Sequence, residues 1–471
     1  MNYNKINDKI IKELIAILGQ RNVIYNDKEK LEPYSHDEVS EKQYQAFPDV
    51  VVKPETTEQV SKIMKLAYEN NIPVTPRGAG SGLSGGAVPV YGGIVLSVEK
   101  MNKILEIDKE NLTITVEPGV VTNDINVKLK DDNLFYAGYP MSLETCYIGG
   151  NVAENAGGGK AIKYGVTSRY VIGLECVLPD GSILNLGGKR VKDVTGYDLI
   201  HLLVGSEGTL AIFTKIILKL LPLPKASADL LVLFPDTKSA IGMVPKIMTM
   251  SGIIPTAVEY MDKKSFQTAC DYLNENIDYQ DANAMLLITV DGYDREQVEK
   301  DYEKIGFLCE ENGALEIFVA DNATTSARVW NIRKNIAEAF KVYHEHQSAE
   351  DIVVPYANIP NLIPEIVKIA DEYNVEIPCF GHAGDGNIHA TVLKTDKVKE
   401  KEWPEVLEKV LTNVYKKTVE LGGTISGEHG IGSKRRKYIK LALSEAEIEI
   451  MKKIKNAFDP KHILNPGKIF E

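Results

Sequence analysis

The feature that most constrains this chain is Pro76-Arg77-Gly78-Ala79-Gly80-Ser81-Gly82-Leu83-Ser84-Gly85-Gly86, which places five glycines in the nine residues from Gly78 to Gly86. No packing requirement asks for glycine at that density. It lets backbone N–H groups converge on an anion, so a phosphate or pyrophosphate is the physical expectation. The residues before the loop predict a β-α-β unit: a short apolar strand over 49–53, a helix over 57–70 with Val60, Ile63, Met64 and Ala67 on one side, and a strand over 72–75. Residues 91–97 read as another strand. That order excludes two common phosphate motifs, because no Gly-Lys-Ser/Thr follows and a dinucleotide fingerprint would open a helix here. A flexible surface linker would lack ordered strands on either side.

Two further small-residue loops follow, over 149–159 and 205–210. Three such loops point to one long, extended ligand lying across a domain. Strands over 112–116 and 174–178, with Pro-Gly and Asp-Gly turns after them, make the domain α+β. An amphipathic helix over 7–19, with Ile10, Ile11, Leu14, Ile15 and Leu18 as its apolar face, leads in. After Leu221-Pro222-Leu223-Pro224 the pattern becomes an alternation of strands and helices as far as Leu393, which predicts an antiparallel sheet with helices on one face. The last helix opens on a capping box at Ser444 and carries Ile448, Met451, Ile454 and Phe458 as a core stripe.

The second informative stretch is Gly381-His382-Ala383-Gly384-Asp385-Gly386-Asn387-Ile388-His389, with Ser426-Gly427-Glu428-His429 farther on; together they hold three of the eight histidines. A hairpin turning through 384–387 would pair Ala383 with Ile388 and set His382 directly opposite His389, with Cβ atoms about 5 Å apart. Two imidazoles and a carboxylate suit zinc, manganese or ferrous iron, which makes His382, His389 and Glu428 the candidate metal ligands. His429 is then available as a base. The plainer alternative is a hairpin whose imidazoles are hydrogen-bonded or exposed.

The chain has 471 residues, enough for two or three domains, and a formal net charge of -12, which argues against a general nucleic-acid binder. The basic run Lys434-Arg435-Arg436-Lys437 reads as a solvated face or a local positive field near an anionic substrate. Five scattered cysteines without a C-x-x-C pair read as reduced core residues. The polar N-terminus and the absence of a long apolar run predict a soluble, cytoplasmic chain with no membrane span.

The ordered set Pro-Arg-Gly-Ala-Gly-Ser-Gly-Leu-Ser-Gly-Gly from Pro76, Gly-Gly-Asn-Val-Ala-Glu-Asn-Ala-Gly-Gly from Gly149, Gly-Ser-Glu-Gly-Thr-Leu from Gly205, the two histidine motifs and Asn-Pro-Gly-Lys-Ile-Phe from Asn465 resembles the FAD-linked D-2-hydroxyacid dehydrogenases. That family includes D-lactate dehydrogenases, the glycolate oxidase catalytic subunit and D-2-hydroxyglutarate dehydrogenase, within the vanillyl-alcohol oxidase superfamily. The resemblance implies a two-lobed FAD-binding domain of the vanillyl-alcohol oxidase (PCMH) type over 1–225, with a helical lead-in over 1–45. It further implies an antiparallel-sheet cap over 226–425 and a C-terminal segment, 426–471, returning to the flavin domain. It implies FAD held by Arg77, Gly78, Ala79, Gly80, Ser81, Gly82, Ser84 and Gly85 on the pyrophosphate, and by Pro140, Met141, Ser142, Gly149, Gly150, Asn151, Glu154, Asn155, Gly157, Gly158, Glu207, Gly208 and Asn465. Ser81 stands where some relatives carry a flavin-linking residue, so the expected FAD is non-covalent. Arg333 is the implied substrate-carboxylate clamp, on a helix that Ala327–Lys334 would open.

The expected reaction is metal-assisted oxidation of a short D-2-hydroxy acid, D-lactate to pyruvate as the first choice, with His429 taking the hydroxyl proton and hydride passing to flavin N5. A metal ion brings the hydroxyl pKa within reach of a histidine. Ala349 stands where relatives that bind 2-hydroxyglutarate carry a lysine, which favours a short acid. Glycolate and D-2-hydroxyglutarate remain alternative substrates. No second dinucleotide fingerprint or iron-sulfur set is visible, so the expected electron acceptor is a separate soluble protein such as an electron-transferring flavoprotein. Two other classes stay open: a flavin-free metal-dependent hydrolase, and a non-catalytic flavoprotein subunit that keeps the FAD loops.

Overall fold

The computed structural model describes residues 2–39, 41–279 and 281–470, and the chain divides into two compact units. The first comprises Met1–Gly157, Val166–Leu223 and Glu428–Glu471; the second comprises Gly158–Gly165 and Pro224–Gly427.

The first unit contains two main sheets. One is four-stranded, in the order β1 (Val23–Tyr25), β2 (Val50–Val52), β4 (Ile94–Ser97), β3 (Val74–Arg77), with β2 and β3 both parallel to β4. Helix Thr57–Glu69 makes the β2-to-β3 crossover, capped by Thr56 and burying Val60, Ile63, Met64 and Ala67 on the sheet, as its periodicity requires. Helix Asp8–Leu18, capped by Asn7, packs its Ile10, Ile11, Leu14 and Leu18 into the same core. The other sheet is antiparallel, five strands in the order β5 (Ile104–Asp108), β6 (Thr113–Val116), β10 (Ile212–Lys219), β8 (Val171–Val177), β9 (Ile183–Gly187). A small ribbon joins β7 (Leu134–Phe135) to β11 (Leu221–Pro222). The C-terminal tail pairs Leu464 with Val74, beside the glycine-rich loop.

Two expectations for the first unit need correction. Of the apolar stripe on helix Glu445–Phe458, only Ile448 is fully buried; the helix lies at the surface, and its buried Lys455 is held by Asp459 and the Thr209 and Leu464 carbonyls. The basic run is not a solvated face either. Lys434 is buried and pairs with Glu41, and Arg435 is fully buried, donating to the Leu83 and Gly430 carbonyls.

The second unit is one antiparallel sheet of seven strands, in the order β15 (Glu316–Ala320), β12 (Ala226–Phe234), β14 (Ala284–Gly292), β13 (Ala257–Asp262), β17 (Cys379–His382), β18 (Asn387–Leu393), β16 (Gln347–Val353). Helices cover both of its faces, not one. Leu231, Leu233, Met261 and Met285 pack with Phe266, Ile332, Ile336 and Phe340 from helices on one side. Alternate residues point the other way, where Tyr260 meets Thr237 and Glu350 accepts from Tyr415 on other helices. The unbroken apolar run Leu230–Phe234 already carried this information, because a strand with one solvated face would alternate.

The histidine hairpin has a different register from the one expected. His382 pairs with Asn387, and Phe380 pairs with His389. The turn runs through Ala383–Gly386, closed by the Asp385 N–H on the His382 carbonyl and by Asp385 Oδ1 accepting the Asn387 N–H. Gly386, at φ +88°, packs against the Val354 backbone, which leaves no room for a side chain. The shift is by two residues, and two residues preserve the face.

Candidate functional site

The chemistry of the second unit gathers on one sheet face around Glu259. This carboxylate is 0% exposed on β13, opposite His382. Its Oε1 lies 2.6 Å from His382 Nδ1, and its Oε2 accepts the Arg333 Nε–H at 2.7 Å. Burial would raise its pKa, but His382 and Arg333 outweigh burial and hold the carboxyl below its ordinary range. Glu259 is not among the residues singled out from the sequence; a charge set inside the apolar run from Ala257 to Met261 was the available signal.

Arg333 sits in the last turn of helix Ala323–Lys334, so the residues expected to open a helix close one. The helix begins earlier because Asn322 caps it, its side chain accepting the Thr324 and Thr325 N–H groups. The guanidinium lies 5.0 Å from the Phe380 ring centroid and is 4% exposed. Its Nη2 is buried with no hydrogen-bond partner among the described residues.

His382 and His389 sit diagonally on adjacent strands, with ring centroids 5.4 Å apart and a nitrogen of one within 4.8 Å of a nitrogen of the other. Asp351, directly opposite His389, ties down the chain end of this unit. Its Oδ1 accepts from Asn387 Nδ2 at 2.6 Å, and its Oδ2 accepts from Ser426 Oγ at 2.8 Å and the Gly427 N–H at 2.9 Å. Glu428 is the next residue in the chain. The donor set suits a divalent metal: a carboxylate can only accept, so Glu259 makes His382 Nδ1 the donor and puts the ring's lone pair on Nε2.

In the first unit the structure gathers most of the expected cofactor residues. Arg77 is a support of the loop: its guanidinium donates to the His36 and Pro33 carbonyls at 2.7 and 2.8 Å, and Gly80, at φ +79°, packs directly against it. Asp37 takes the Gly85 N–H at 2.7 Å. Gly78 approaches the Gly150 backbone, and Glu154 approaches Gly86. Asn465 donates to the Gly86 and Glu207 carbonyls at 3.1 and 2.8 Å. Glu207 accepts the Ile431 and Gly432 N–H groups, and Gly208 packs on Pro76.

The stretch expected as a second loop contains a helix, Ile148–Glu154, with Asn155 at φ +53° as its stop. Gly149 serves close packing on Pro118, and Asn151 bonds Thr122 at 2.7 Å. Pro140, Met141 and Ser142 lie in irregular backbone. Gly157 neighbours Glu428, whose Oε1 is 3.8 Å from His429 Nε2, whereas Gly158 falls in the second unit.

These residues fit a polar cofactor. Ser84 Oγ, Glu154 Oε2, Ser206 Oγ and Asn465 Oδ1 are buried without a hydrogen-bond partner among the described residues, which is costly unless a ligand completes them. Burial, reinforced by Glu207, pushes the Glu154 carboxyl well above its ordinary range, and burial raises Glu207 as well.

Two family models match: one described as FAD binding domain over residues 48–187, and one described as FAD linked oxidases, C-terminal domain, over 223–469. The chain is 41% identical over 465 residues to the glycolate oxidase subunit GlcD of Bacillus subtilis, covering 99% of this chain and 97% of that one. It is 37% identical over 472 residues to a D-lactate dehydrogenase of Anaerostipes hadrus, covering 99% and 98%. Among solved structures, the 4-ethylphenol oxidase from Gulosibacter chungangensis shares the fold with a TM-score of 0.79 at 19% identity, covering 100% of this chain and 99% of that one. With its FAD-binding domain, its C-terminal oxidase domain and relatives spanning its whole length, the chain belongs to the FAD-linked oxidase family of the vanillyl-alcohol oxidase superfamily.

Proposed function

We propose that this chain oxidises a short D-2-hydroxy acid, with D-lactate as first substrate, and passes the electrons to a separate acceptor such as an electron-transferring flavoprotein in the cytoplasm. The observation that carries this is Arg333: a buried guanidinium whose Nε is engaged by Glu259 and whose Nη2 has no partner among the described residues. A donor left in that state calls for an anionic acceptor, and a carboxylate matches the planar guanidinium edge. The positions sharing the Asp351 face of β16, Gln347, Ala349 and Val353, include no cation. That favours one carboxylate over two.

Bound non-covalently, FAD supplies the hydride acceptor. A divalent metal would be held by His382, His389 and Glu428, and would supply Lewis acidity toward the substrate hydroxyl. Arg333 binds and orients the carboxylate, which fixes the α-carbon without consuming a proton. His429 takes the hydroxyl proton as general base. Family membership removes the support for a flavin-free hydrolase. Glycolate is the second reading, favoured by the 41% identity to a glycolate oxidase subunit.

The test is an anaerobic visible spectrum of the purified protein titrated separately with D-lactate, L-lactate, glycolate and D-2-hydroxyglutarate. D-lactate is expected to bleach the oxidised flavin at the lowest concentration; bleaching by glycolate alone would move the assignment to the second reading. His429→Asn is expected to retain FAD and metal yet lose bleaching by a factor of about 10² or more. Near wild-type reduction by that variant would remove His429 from the mechanism.

A further inference from the structure

Each oxygen of Glu259 has a different partner, and each partner serves a different arm of the proposed site. We infer that Glu259 is a positioning residue that couples metal binding to recognition of the substrate carboxylate; this rests on the functional reading above. Through Oε1 it keeps the His382 proton on Nδ1, so that Nε2 presents a lone pair. Through Oε2 it anchors Arg333 by Nε, which leaves the Nη edge of the guanidinium to a substrate carboxylate. A single side chain therefore fixes the relative placement of a metal-binding nitrogen and a carboxylate-binding fork.

The surroundings hold Glu259 to this arrangement. The segment Gly158–Gly165 lies against it: a Cβ at Gly159 would sit 2.6 Å from Glu259 Oε1 and 3.6 Å from His382 Nδ1. That segment is fastened on its far side by Lys163 and Tyr164 on Asp291, and by Ile162 against Gly384. Water is thereby kept from the carboxylate on the Gly159 side, and both of its oxygens are committed. Glutamine at this position could serve only one arm. Its oxygen can accept from His382 Nδ1 or from Arg333 Nε, and its NH2 then opposes an N–H on the other side.

The experiment measures two quantities on FAD-loaded protein: zinc(II) affinity by competition with a chromophoric chelator, and KM for D-lactate at saturating zinc. Glu259→Gln is expected to weaken zinc binding 10- to 100-fold, as loss of a carboxylate behind a metal-bound histidine does. It is also expected to raise KM at least tenfold even when zinc is saturating, because the Arg333 anchor is lost separately. Gly159→Ala keeps the carboxylate but crowds Oε1, so it is expected to weaken zinc while changing KM at saturating zinc less than threefold. Arg333→Lys is expected to do the reverse. A merely structural role would give neither split. Should Glu259→Gln fail to fold, Gly159→Ala decides: unchanged zinc affinity in that variant overturns the coupling. Loss of zinc binding in His382→Ala beside wild-type values in Glu259→Gln would overturn the inference while leaving the metal reading intact. Equal zinc binding by the wild type and His382→Ala would sink both.

Discussion

Arg333→Met removes the charge from a buried ion pair while keeping much of the hydrophobic stem. The two partners are 4% and 0% exposed, so Glu259 would keep only His382 as compensation. Removing one member of a buried pair typically costs about 3–5 kcal/mol. Here His382 retains part of the compensation. The variant also no longer buries an unpartnered Nη2, which returns about 1–3 kcal/mol, while loss of the buried contact with the Phe380 ring costs about 2 kcal/mol. The balance is a loss of about 2–3 kcal/mol in the second unit. Both tryptophans, Trp330 and Trp403, lie in that unit, so urea unfolding followed by tryptophan fluorescence reports on it selectively. The double variant Arg333→Met/Glu259→Met should regain most of the loss, giving a coupling of about 2 kcal/mol. A single-variant loss below about 1 kcal/mol at unchanged m, with no recovery in the double variant, would refute the buried-pair argument.

Three further outcomes are expected. Asp229, 1% exposed on β12, accepts from Thr289, Ser326 and Trp330, so Asp229→Ala should cost about 3 kcal/mol in the same urea assay, discounted for water reaching the two helical donors; a loss under 1 kcal/mol would contradict this. Gly386→Ala should destabilise by at least about 2 kcal/mol through positive φ and backbone collision, whereas Gly242→Ala, in a helix with nothing within 4 Å, should stabilise by about 0.5–1 kcal/mol; equal effects would refute the packing reasoning. Burial pushes the Cys176, Cys270 and Cys309 thiols up to about 12 from 9.0. The folded chain then holds protons that the unfolded chain releases, so their contribution is intact below about pH 9 and lost as pH rises toward 12, at about 1.4 kcal/mol per pH unit per thiol. Cys309→Ala should flatten the alkaline fall in urea stability by that amount; an unchanged slope would count against it.

The sequence made local elements legible wherever the local chemistry was decisive. Helix Asp8–Leu18 with its Asn7 cap, the crossover helix Thr57–Glu69 and the Ser444 capping box follow from periodicity and side-chain hydrogen bonds that span a few residues. The glycine density of 78–86 announced a loop, and the order of six motifs pointed to the family. The helix at 148–154 was hidden because glycine signals both a turn and close packing, and only the approach of Pro118 separates the two.

The histidines show the boundary most clearly. That His382 and His389 share a face follows from a strand period of two and survives a two-residue error in register. Their pairing with Asn387 and Phe380, by contrast, depends on a turn braced by the Val354 backbone, contributed by a distant part of the chain. The histidine pair could be named from its own motif, and Arg333 from the family resemblance. Glu259 could not, because its role arises from two contacts 74 and 123 residues away in sequence. The residue types and their periodicity thus determined which chemistry the chain could bring; only long-range pairing in the sheet decided which groups meet, because burial and ion pairing depend on what tertiary packing places within a few ångströms.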